Sequence, residues 1–180
     1  MATSEIATLG GGCFWCLEAV FDEMEGVLSV ESGYMGGHVP DPDYRRVCTG
    51  QSGHVEVVQV TFDPKVASYR DILEVFFAMH DPTTYDRQGN DSGPQYRSVI
   101  FYNNEEQKHI AEAYIAQLDN AQVFSHKIVT QVVPLQAFYK AEAYHQNYAA
   151  LHPNQPYIVF NDAPKVEHLR QEFPDLYTGK

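Results

Sequence analysis

The sequence predicts a single α+β domain in which helices pack against one mixed, largely antiparallel sheet. Segments with strand-like alternation and segments with helical spacing interleave irregularly along the chain, which is typical of this mixed α/β class. With 180 residues, of which 44% are hydrophobic, the chain can bury a core of its own. No internal repeat, low-complexity stretch or linker divides the sequence, so we expect one domain over residues 1–180.

A glycine-rich turn joins the first two predicted elements. Residues 6–9 are an apolar, strand-like approach, and three glycines at 10–12 separate them from a helical pattern. Cys13 should therefore lie at a helix N-terminus, or within one residue of it. Because unpaired N–H groups and the helix dipole favour an anion there, we expect the pKa of its thiol to lie below that of a free cysteine. The apolar residues of this helix, and the glycine that ends it, are Leu17, Val20, Phe21, Met24 and Gly26.

A predicted strand over residues 27–34 is followed by a long irregular stretch, residues 35–53, with several glycines and prolines. Loops of that length are uncommon in compact domains and are often functional. This one contains Tyr44 and Cys48.

The next predicted strand, residues 54–62, carries a carboxyl group on an apolar face. Glu56 shares that face with Val58, Val60 and Phe62. At a surface edge the carboxyl would have no special property. If the face is the core side, desolvation would raise the pKa of Glu56, which suits a proton donor near neutral pH.

The second half of the chain alternates helices, strands and polar loops. Ser68 can cap one helix, and Asn103 or Asn104 can cap another. A glycine-rich polar loop, residues 87–95, lies between them. The predicted segments are a helix over 68–80, a strand over 96–102, a helix ending near 120, a strand over 127–133, and helical segments over 142–148 and 166–173.

Composition excludes several classes of partner. The net charge of −12 argues against nucleic acid and acidic membranes, since both select a basic patch. No run is long enough to span a membrane, and residues 1–5 lack the features of a signal peptide, so we expect a cytoplasmic protein. Three cysteines, two of them a close pair, suit redox or metal chemistry in a reducing compartment better than a secreted disulfide framework.

The pair Cys13-x-x-Cys16 permits three interpretations. A structural zinc site needs four ligands, and only Cys48 and His54 stand out as partners, at a spacing unlike common zinc modules. A general thiol–disulfide oxidoreductase fits the pair and the helix N-terminus, but the proline expected opposite such a pair cannot be picked out. The third interpretation is a thiol nucleophile acting on a small electrophile, which requires a second thiol, a general acid and an aromatic pocket.

Several motifs, in one order along nearly the whole chain, resemble the A class of peptide methionine sulfoxide reductases. We expect from this resemblance a single catalytic domain with a two-layer ferredoxin-like core and long irregular segments, and no cofactor or metal. The motifs are Gly12-Cys13-Phe14-Trp15, Ser32-Gly33-Tyr34-Met35-Gly36-Gly37, residues 44–50, Gly53-His54-Val55-Glu56-Val57-Val58, Arg87-Gln88-Gly89-Asn90-Asp91, Gln95-Tyr96-Arg97-Ser98, Glu142 with Tyr144-His145-Gln146, Pro153-Asn154-Gln155 and Ala163-Pro164-Lys165-Val166.

The resemblance implies reduction of the S epimer of methionine sulfoxide, free or in proteins. By this similarity Cys13 is the nucleophile that attacks the sulfoxide sulfur, and Glu56 protonates or hydrogen-bonds the oxygen. Tyr44 and Tyr96 are neighbouring donors, and Asp91 supports the site. These roles agree with the chemistry, because a polarised S–O bond needs an anionic attacker at sulfur and donors at oxygen.

The same similarity makes Phe14 and Trp15 the apolar pocket for the S-methyl group. An apolar cage of this kind would orient the sulfur and distinguish the two epimers by shape. Ala143 stands where relatives often carry Asp, and we assign no consequence to that difference.

Recycling of the enzyme is expected to pass through a sulfenic acid on Cys13 and an intramolecular disulfide, which thioredoxin then reduces. Many relatives place resolving cysteines in a C-terminal tail, whereas this chain has none after Cys48. The resolving thiol is then Cys16, Cys48 or an external one. We favour Cys16 because it lies one helical turn from Cys13, with Cys48 as the alternative within the chain. We expect the protein to act as a monomer.

Overall fold

The computed structural model describes residues 4–88 and 91–178, which form a main sheet with helices packed on it and a separate small hairpin. The strands are β1 Glu5–Gly10, β2 Val27–Met35, β3 Val55–Phe62, β4 Arg87–Gln88, β5 Asp91–Ser92, β6 Val99–Tyr102, β7 Gln131–Pro134 and β8 Tyr139–Lys140. The α-helices are α1 Phe14–Asp22, α2 Tyr44–Cys48, α3 Tyr69–Ala78, α4 Glu105–Asn120, α5 Tyr148–Leu151 and α6 Ala163–Glu172. None of the helices in these described ranges is long and apolar enough to cross a membrane.

The main sheet has six strands in the order β7-β6-β1-β3-β2-β8. All neighbouring pairs are antiparallel except β6 and β7, which are parallel. Within it, β6-β1-β3-β2 and the crossover helices α1 and α3 form a βαββαβ unit. This is the predicted ferredoxin-like core, and the predicted α+β class is confirmed.

The larger of two apolar clusters fills the space between the sheet and helices α1 and α3. Leu9, Val58 and Phe62 from the sheet meet Phe21 and Phe76 from the helices there, and all five are fully buried. Burying each such side chain stabilises the fold by about 1.5–3 kcal/mol. A smaller cluster on the opposite face contains Met35, Val55, Val57, Val99 and Phe101.

Both predicted N-caps are confirmed. Ser68 and Asp71 form a reciprocal capping box at the start of α3. At the start of α4, the Oδ1 atom of Asn104 accepts a hydrogen bond from the N–H of Gln107 at 2.9 Å. At the start of each helix, side chains within four residues of one another accept hydrogen bonds from the free backbone N–H groups. Both caps could therefore be predicted from the sequence.

The short elements differ from the predictions. Residues 44–48 form the helix α2 inside the stretch predicted as irregular, where the Oδ1 atom of Asp43 accepts a hydrogen bond from the N–H of Arg46 at 2.8 Å. A five-residue helix contains too little periodicity to be recognised. The segment predicted as helical over 142–148 forms only one 3₁₀ turn, Ala143–His145, because Asn147 adopts a left-handed conformation with φ 56° before α5.

Two strand predictions and one loop prediction also need adjustment. The strand predicted over 96–102 begins at Val99, since Pro94–Tyr96 form a 3₁₀ turn. The strand predicted over 127–133 begins at Gln131. The polar loop over 87–95 contains the small hairpin of β4 and β5, and Gly89 and Asn90 of its motif lie outside the described residues.

Candidate active site

Cys13 occupies the N-cap of α1, as predicted, with extended backbone angles of φ −65° and ψ 129°. The turn before it requires glycine at two positions. A Cβ atom at Gly11 would lie 2.8 Å from the ring of His80, and Gly12 has a φ of +91°, in the region that favours glycine. Because these residues let β1 turn sharply into α1, the half-buried thiol is presented where the sheet and the helix meet.

The pKa of Cys13 lies well above its ordinary value, contrary to the expectation from helix position. Burial is the largest cause, and the negative charge of Glu56 adds to it. The backbone N–H of Trp15, in the first turn of the helix, favours the thiolate but does not compensate. The expectation was wrong because a helix end acts over one turn, whereas desolvation penalises the whole charge.

Glu56 lies on the face of β3 that points to α1, and only 1% of its surface is exposed. Its Oε1 atom accepts a hydrogen bond from the N–H of Phe14 at 3.1 Å, the residue that follows Cys13. Its Oε2 atom is buried and has no hydrogen-bond partner among residues 4–88 and 91–178. Burial raises the pKa of Glu56 to about 8, as the sequence pattern predicted for a core-facing carboxyl. The carboxyl is therefore largely protonated at neutral pH and can donate from its free oxygen.

Two phenols belong to the same cluster. The hydroxyls of Tyr44 and Tyr96 both interact electrostatically with Glu56, and burial raises the pKa of each far above 10. Tyr44 opens α2, while Tyr96 ends a 3₁₀ turn whose carbonyl accepts a hydrogen bond from the N–H of Gly12 at 3.2 Å. Both hydroxyls therefore keep their protons and remain hydrogen-bond donors.

Trp15 is half-buried and is held from three directions. Its ring stacks on Tyr148 with centroids 3.9 Å apart and an interplanar angle of 6°, and Tyr157 meets it edge-on at 5.8 Å. Its indole N–H donates to the Nδ1 atom of His145 at 3.0 Å. Phe14, in contrast, is completely buried against His145 and Tyr34. Of the two predicted pocket residues, Trp15 offers accessible surface and Phe14 supports the site from below.

Asp91 enters the site region from β5 and interacts electrostatically with Glu56. Its Oδ2 atom accepts a hydrogen bond from the hydroxyl of Tyr157 at 2.5 Å. That tyrosine also contacts Trp15, so Asp91 is linked to the aromatic side of the site.

The two remaining cysteines lie in different surroundings. Cys16 is 2% exposed, and its Sγ atom lies 2.6 Å from the Oδ1 atom of Asp162. Cys48 is exposed at the end of α2, where it interacts with the hydroxyl of Tyr44. Among residues 4–88 and 91–178, no group of three or more His, Cys, Asp or Glu side chains could hold a metal ion.

Glu142 is a site residue for which sequence reasoning found a motif but no role. Its two carboxylate oxygens accept hydrogen bonds from the hydroxyl of Tyr34 at 2.9 Å and from the N–H of Tyr44 at 3.0 Å. Burial alone would raise the pKa of Glu142, but these donors hold it below its ordinary value. Glu142 therefore fastens the start of α2, and with it Tyr44, to strand β2.

Other residues were also missed, and they come from the C-terminal third of the chain. They orient Trp15 or contact Cys16, but they show no periodicity or spacing that would have distinguished them from ordinary aromatic and acidic residues. They are Tyr148, Tyr157 and Asp162, whereas His145, like Glu142, belongs to a quoted motif and was given no role.

The sequence and the fold of this chain are both similar to those of known proteins. The family profile described as "Peptide methionine sulfoxide reductase" matches residues 5–177. The peptide methionine sulfoxide reductase MsrA of Sulfolobus acidocaldarius is 55% identical over 171 residues, which are 95% of this chain and 96% of that protein.

Solved structures show the same fold. Methionine sulfoxide reductase A of Corynebacterium diphtheriae superposes with a TM-score of 0.76 at 34% identity, covering 86% of this chain and 78% of that one. Mxr1 from Saccharomyces cerevisiae in complex with Trx2 superposes with a TM-score of 0.53 at 27% identity, covering 82% and 86% of the two chains.

Proposed function

The chain belongs to the peptide methionine sulfoxide reductase family, and from this premise we propose that it reduces the S epimer of methionine sulfoxide to methionine by means of Cys13. The enzyme is an oxidoreductase of the peptide-methionine (S)-S-oxide reductase class, acting on the oxidised residue in proteins or as the free amino acid. The observation that carries the proposal is the buried, largely protonated carboxyl of Glu56 beside the thiol at the helix N-cap.

In the first step the oxygen atom passes from the substrate to Cys13. The Cys13 sulfur attacks the sulfoxide sulfur, and the oxygen then moves to Cys13. The bond between the two sulfurs and the substrate S–O bond break, the S–O bond of Cys13 forms, and Cys13 becomes a sulfenic acid. The substrate sulfur gains two electrons, which Cys13 loses. Glu56 donates its proton to the oxygen and is reprotonated by the proton of the Cys13 thiol, so that no net charge is left in the buried site. This relay explains why a thiol with a raised pKa can still act as the nucleophile.

The phenols and the indole provide the rest of the binding site. Tyr44 and Tyr96 donate hydrogen bonds at the oxygen, where negative charge develops during the reaction. Trp15 offers a fixed apolar surface to the S-methyl group, because Tyr148, Tyr157 and His145 hold its ring in place. Rigid placement of oxygen and methyl on different sides of the sulfur admits one epimer.

Recycling requires a second thiol, and we assign it to Cys16. Cys13 is the N-cap and Cys16 the third residue of α1, with the N–H of Cys16 donating to the carbonyl of Cys13 at 3.1 Å. The two positions lie one helical turn apart, so their side chains are neighbours, and a local backbone shift at Cys13 would bring them to disulfide distance. Thioredoxin is the proposed reductant, since a structural neighbour was solved with Trx2.

We propose that residues 1–180 act as one catalytic domain and as a monomer in the cytoplasm, without cofactor, nucleic acid or membrane. The net charge of −12 supports the last two points, because anionic polymers and surfaces repel such a chain.

A stereochemical assay tests the proposed reaction. We expect the enzyme with dithiothreitol to reduce the S epimer of a blocked methionine sulfoxide and to leave the R epimer intact, measured by chromatography of the methionine product. Turnover of the R epimer with none of the S epimer would contradict the proposal.

A general thiol–disulfide oxidoreductase is the second candidate, because Cys13 and Cys16 begin a helix. Reduction of insulin disulfides that persists in Glu56→Gln would favour it. We expect instead that insulin reduction is negligible in both proteins, since Cys16 is buried against Asp162.

A further inference from the structure

Asp162 is a buried carboxyl that the proposed sulfoxide reduction does not use. It lies where a π-helical turn, Ile158–Asp162, runs into α6, and 1% of its surface is exposed. Its Oδ1 atom accepts the thiol hydrogen of Cys16 at 2.6 Å. Its Oδ2 atom is also buried, and it has no hydrogen-bond partner in the described part of the chain. Within that part, the carboxyl is thus directed at a single donor, the thiol of Cys16.

We propose that Asp162 is the proton acceptor for Cys16 when this thiol attacks the sulfenic acid of Cys13. The inference rests on the proposed function, which supplies the sulfenic acid. In this step the S–S bond forms, the S–O bond of Cys13 breaks, and the hydroxyl leaves as water with one added proton. Cys16 supplies the electron pair of the new bond, so its sulfur is oxidised by one formal unit while the sulfenic sulfur of Cys13 is reduced by one. The thiol proton of Cys16 moves to Asp162, the departing hydroxyl takes one proton from solvent, and Asp162 afterwards releases one proton to solvent, so proton uptake and release balance.

The surroundings of Cys16 explain why such an acceptor is needed. Burial raises the pKa of the Cys16 thiol far above neutral pH, and the charge of Asp162 raises it further, while Lys165 acts in the opposite direction. A carboxylate beside a thiol therefore stabilises the protonated form at rest. Cys16 stays neutral until an electrophilic sulfur arrives, and its proton then has an acceptor already within hydrogen-bonding distance.

This arrangement also separates the two cysteines in time. A resting Cys16 thiolate would compete with Cys13 for electrophiles, or would repel the charge that develops on Cys13 during the first step. Because Asp162 keeps the proton of Cys16 in place, Cys13 is free to react first with the sulfoxide. Asp162 is thus assigned to the resolving step, in which it contacts the reacting thiol.

Other charged groups act on Asp162 as well. Burial raises the pKa of Asp162 to about 6, the thiol hydrogen bond and Lys165 lower it, and Asp91 raises it. The Sγ atom of Cys16 also lies 3.9 Å from the hydroxyl of Tyr157, the residue before this turn. That hydroxyl donates a hydrogen bond to Asp91. Asp162 also borders a cavity of about 270 Å³ whose other carboxyl groups belong to Glu18, Asp22, Glu23 and Glu167.

Rapid-quench single turnover of the enzyme with the S sulfoxide tests the inference. Samples are alkylated and mapped for the disulfide between Cys13 and Cys16. We expect the rate of disulfide formation in wild type to rise with pH through about 6, as Asp162 becomes able to accept a proton. In Asp162→Asn we expect the rate to fall by about 10²-fold and this rise to disappear, while Asp162→Glu restores part of the rate.

Glu167→Gln is the matched control, because this exposed carboxyl borders the same cavity without contacting Cys16. It should leave both the rate and the pH profile of disulfide formation unchanged. If Asp162→Asn kept the wild-type rate and pH profile, the inference would be overturned. The wild-type profile decides the question even if that variant does not fold, since a rate that is flat between pH 5 and 7 also contradicts the role of Asp162.

Cys16→Ser distinguishes this failure from failure of the wider proposal. If Cys16→Ser forms an intramolecular disulfide through Cys48 at the wild-type rate, both the resolving role of Cys16 and the inference about Asp162 are wrong. If Cys16→Ser accumulates the sulfenic acid while Asp162→Asn behaves like wild type, only the inference about Asp162 is wrong.

Discussion

Two cysteines one helical turn apart each lie beside a buried carboxyl, but the two carboxyls are held differently. Glu56 is hydrogen-bonded by a backbone N–H, and its pKa is raised to about 8. Asp162 accepts the thiol hydrogen of Cys16 directly, and its pKa is raised to about 6. Between these values Glu56 carries a proton and Asp162 does not. Similar groups in different environments can thus serve as the proton donor to the substrate oxygen in the attack by Cys13 and as the proton acceptor in the attack by Cys16.

A position at the N-terminus of α1 does not lower the pKa of either cysteine below its ordinary value. Both cysteines lie in the first turn of α1 or at its cap, and burial raises the pKa of both. The electrostatic benefit of the helix end is smaller than the cost of removing a thiolate from water. In the proposed mechanism, reactivity therefore depends on proton transfer to and from neighbouring carboxyls rather than on a preformed thiolate.

The largest expected effect concerns the acid. Glu56→Gln should slow methionine formation in single turnover by ~10²–10⁴-fold, because the oxygen loses its proton donor. In wild type the rate should fall as pH rises through about 8, since Glu56 is then deprotonated, and the variant should lack this fall. Rapid-quench assays from pH 6 to 9 measure both. A variant that retained the fall near pH 8 would show that another group donates the proton.

A second expectation concerns folding stability, where both carboxyls act with the same sign. When the pKa of a carboxyl is higher in the folded than in the unfolded state, it leaves the free energy of unfolding unchanged at pH values below the unfolded pKa. As the pH rises from the unfolded to the folded pKa, the carboxyl lowers the free energy of unfolding by a growing amount. For Glu56 this window runs from about 4.5 to about 8, and for Asp162 from about 3.8 to about 6.

Thermal unfolding of the Gln and Asn variants therefore separates the two carboxyls. The stability of Glu56→Gln relative to wild type should increase with pH up to about 8, whereas that of Asp162→Asn should level off above about 6. The total change should exceed about 1 kcal/mol for Glu56, since each pKa unit corresponds to about 1.4 kcal/mol. Parallel curves for the two variants would contradict the difference between the environments.

The smallest expected effect belongs to the exposed thiol. Cys48→Ser should retain recycling by thioredoxin within about twofold, because Cys48 is exposed and a serine hydroxyl can keep the interaction with Tyr44. Cys16→Ser should complete one turnover and then stop. Steady-state turnover with thioredoxin, compared with dithiothreitol, measures both. The reverse pattern would transfer the resolving role to Cys48, next to Tyr44.

Local patterns were enough for the central part of the fold. The alternation around Glu56 and the helical spacing after Cys13 depend only on neighbours in sequence, and so do the caps Ser68 and Asn104. The C-terminal third was less predictable, because its turns are too short to show a period. Its side chains reach the site over more than 100 residues of sequence, as Glu142 does in binding Tyr34.

By itself the sequence determined that a thiol stands at the junction of a strand and a helix, that a carboxyl lies on an apolar strand face, and which family these motifs resemble. Only the tertiary structure decided how each group is charged, because burial and the approach of residues distant in sequence set a pKa. The contact between Asp162 and Cys16 illustrates this, since no spacing along the chain connects residue 16 with residue 162.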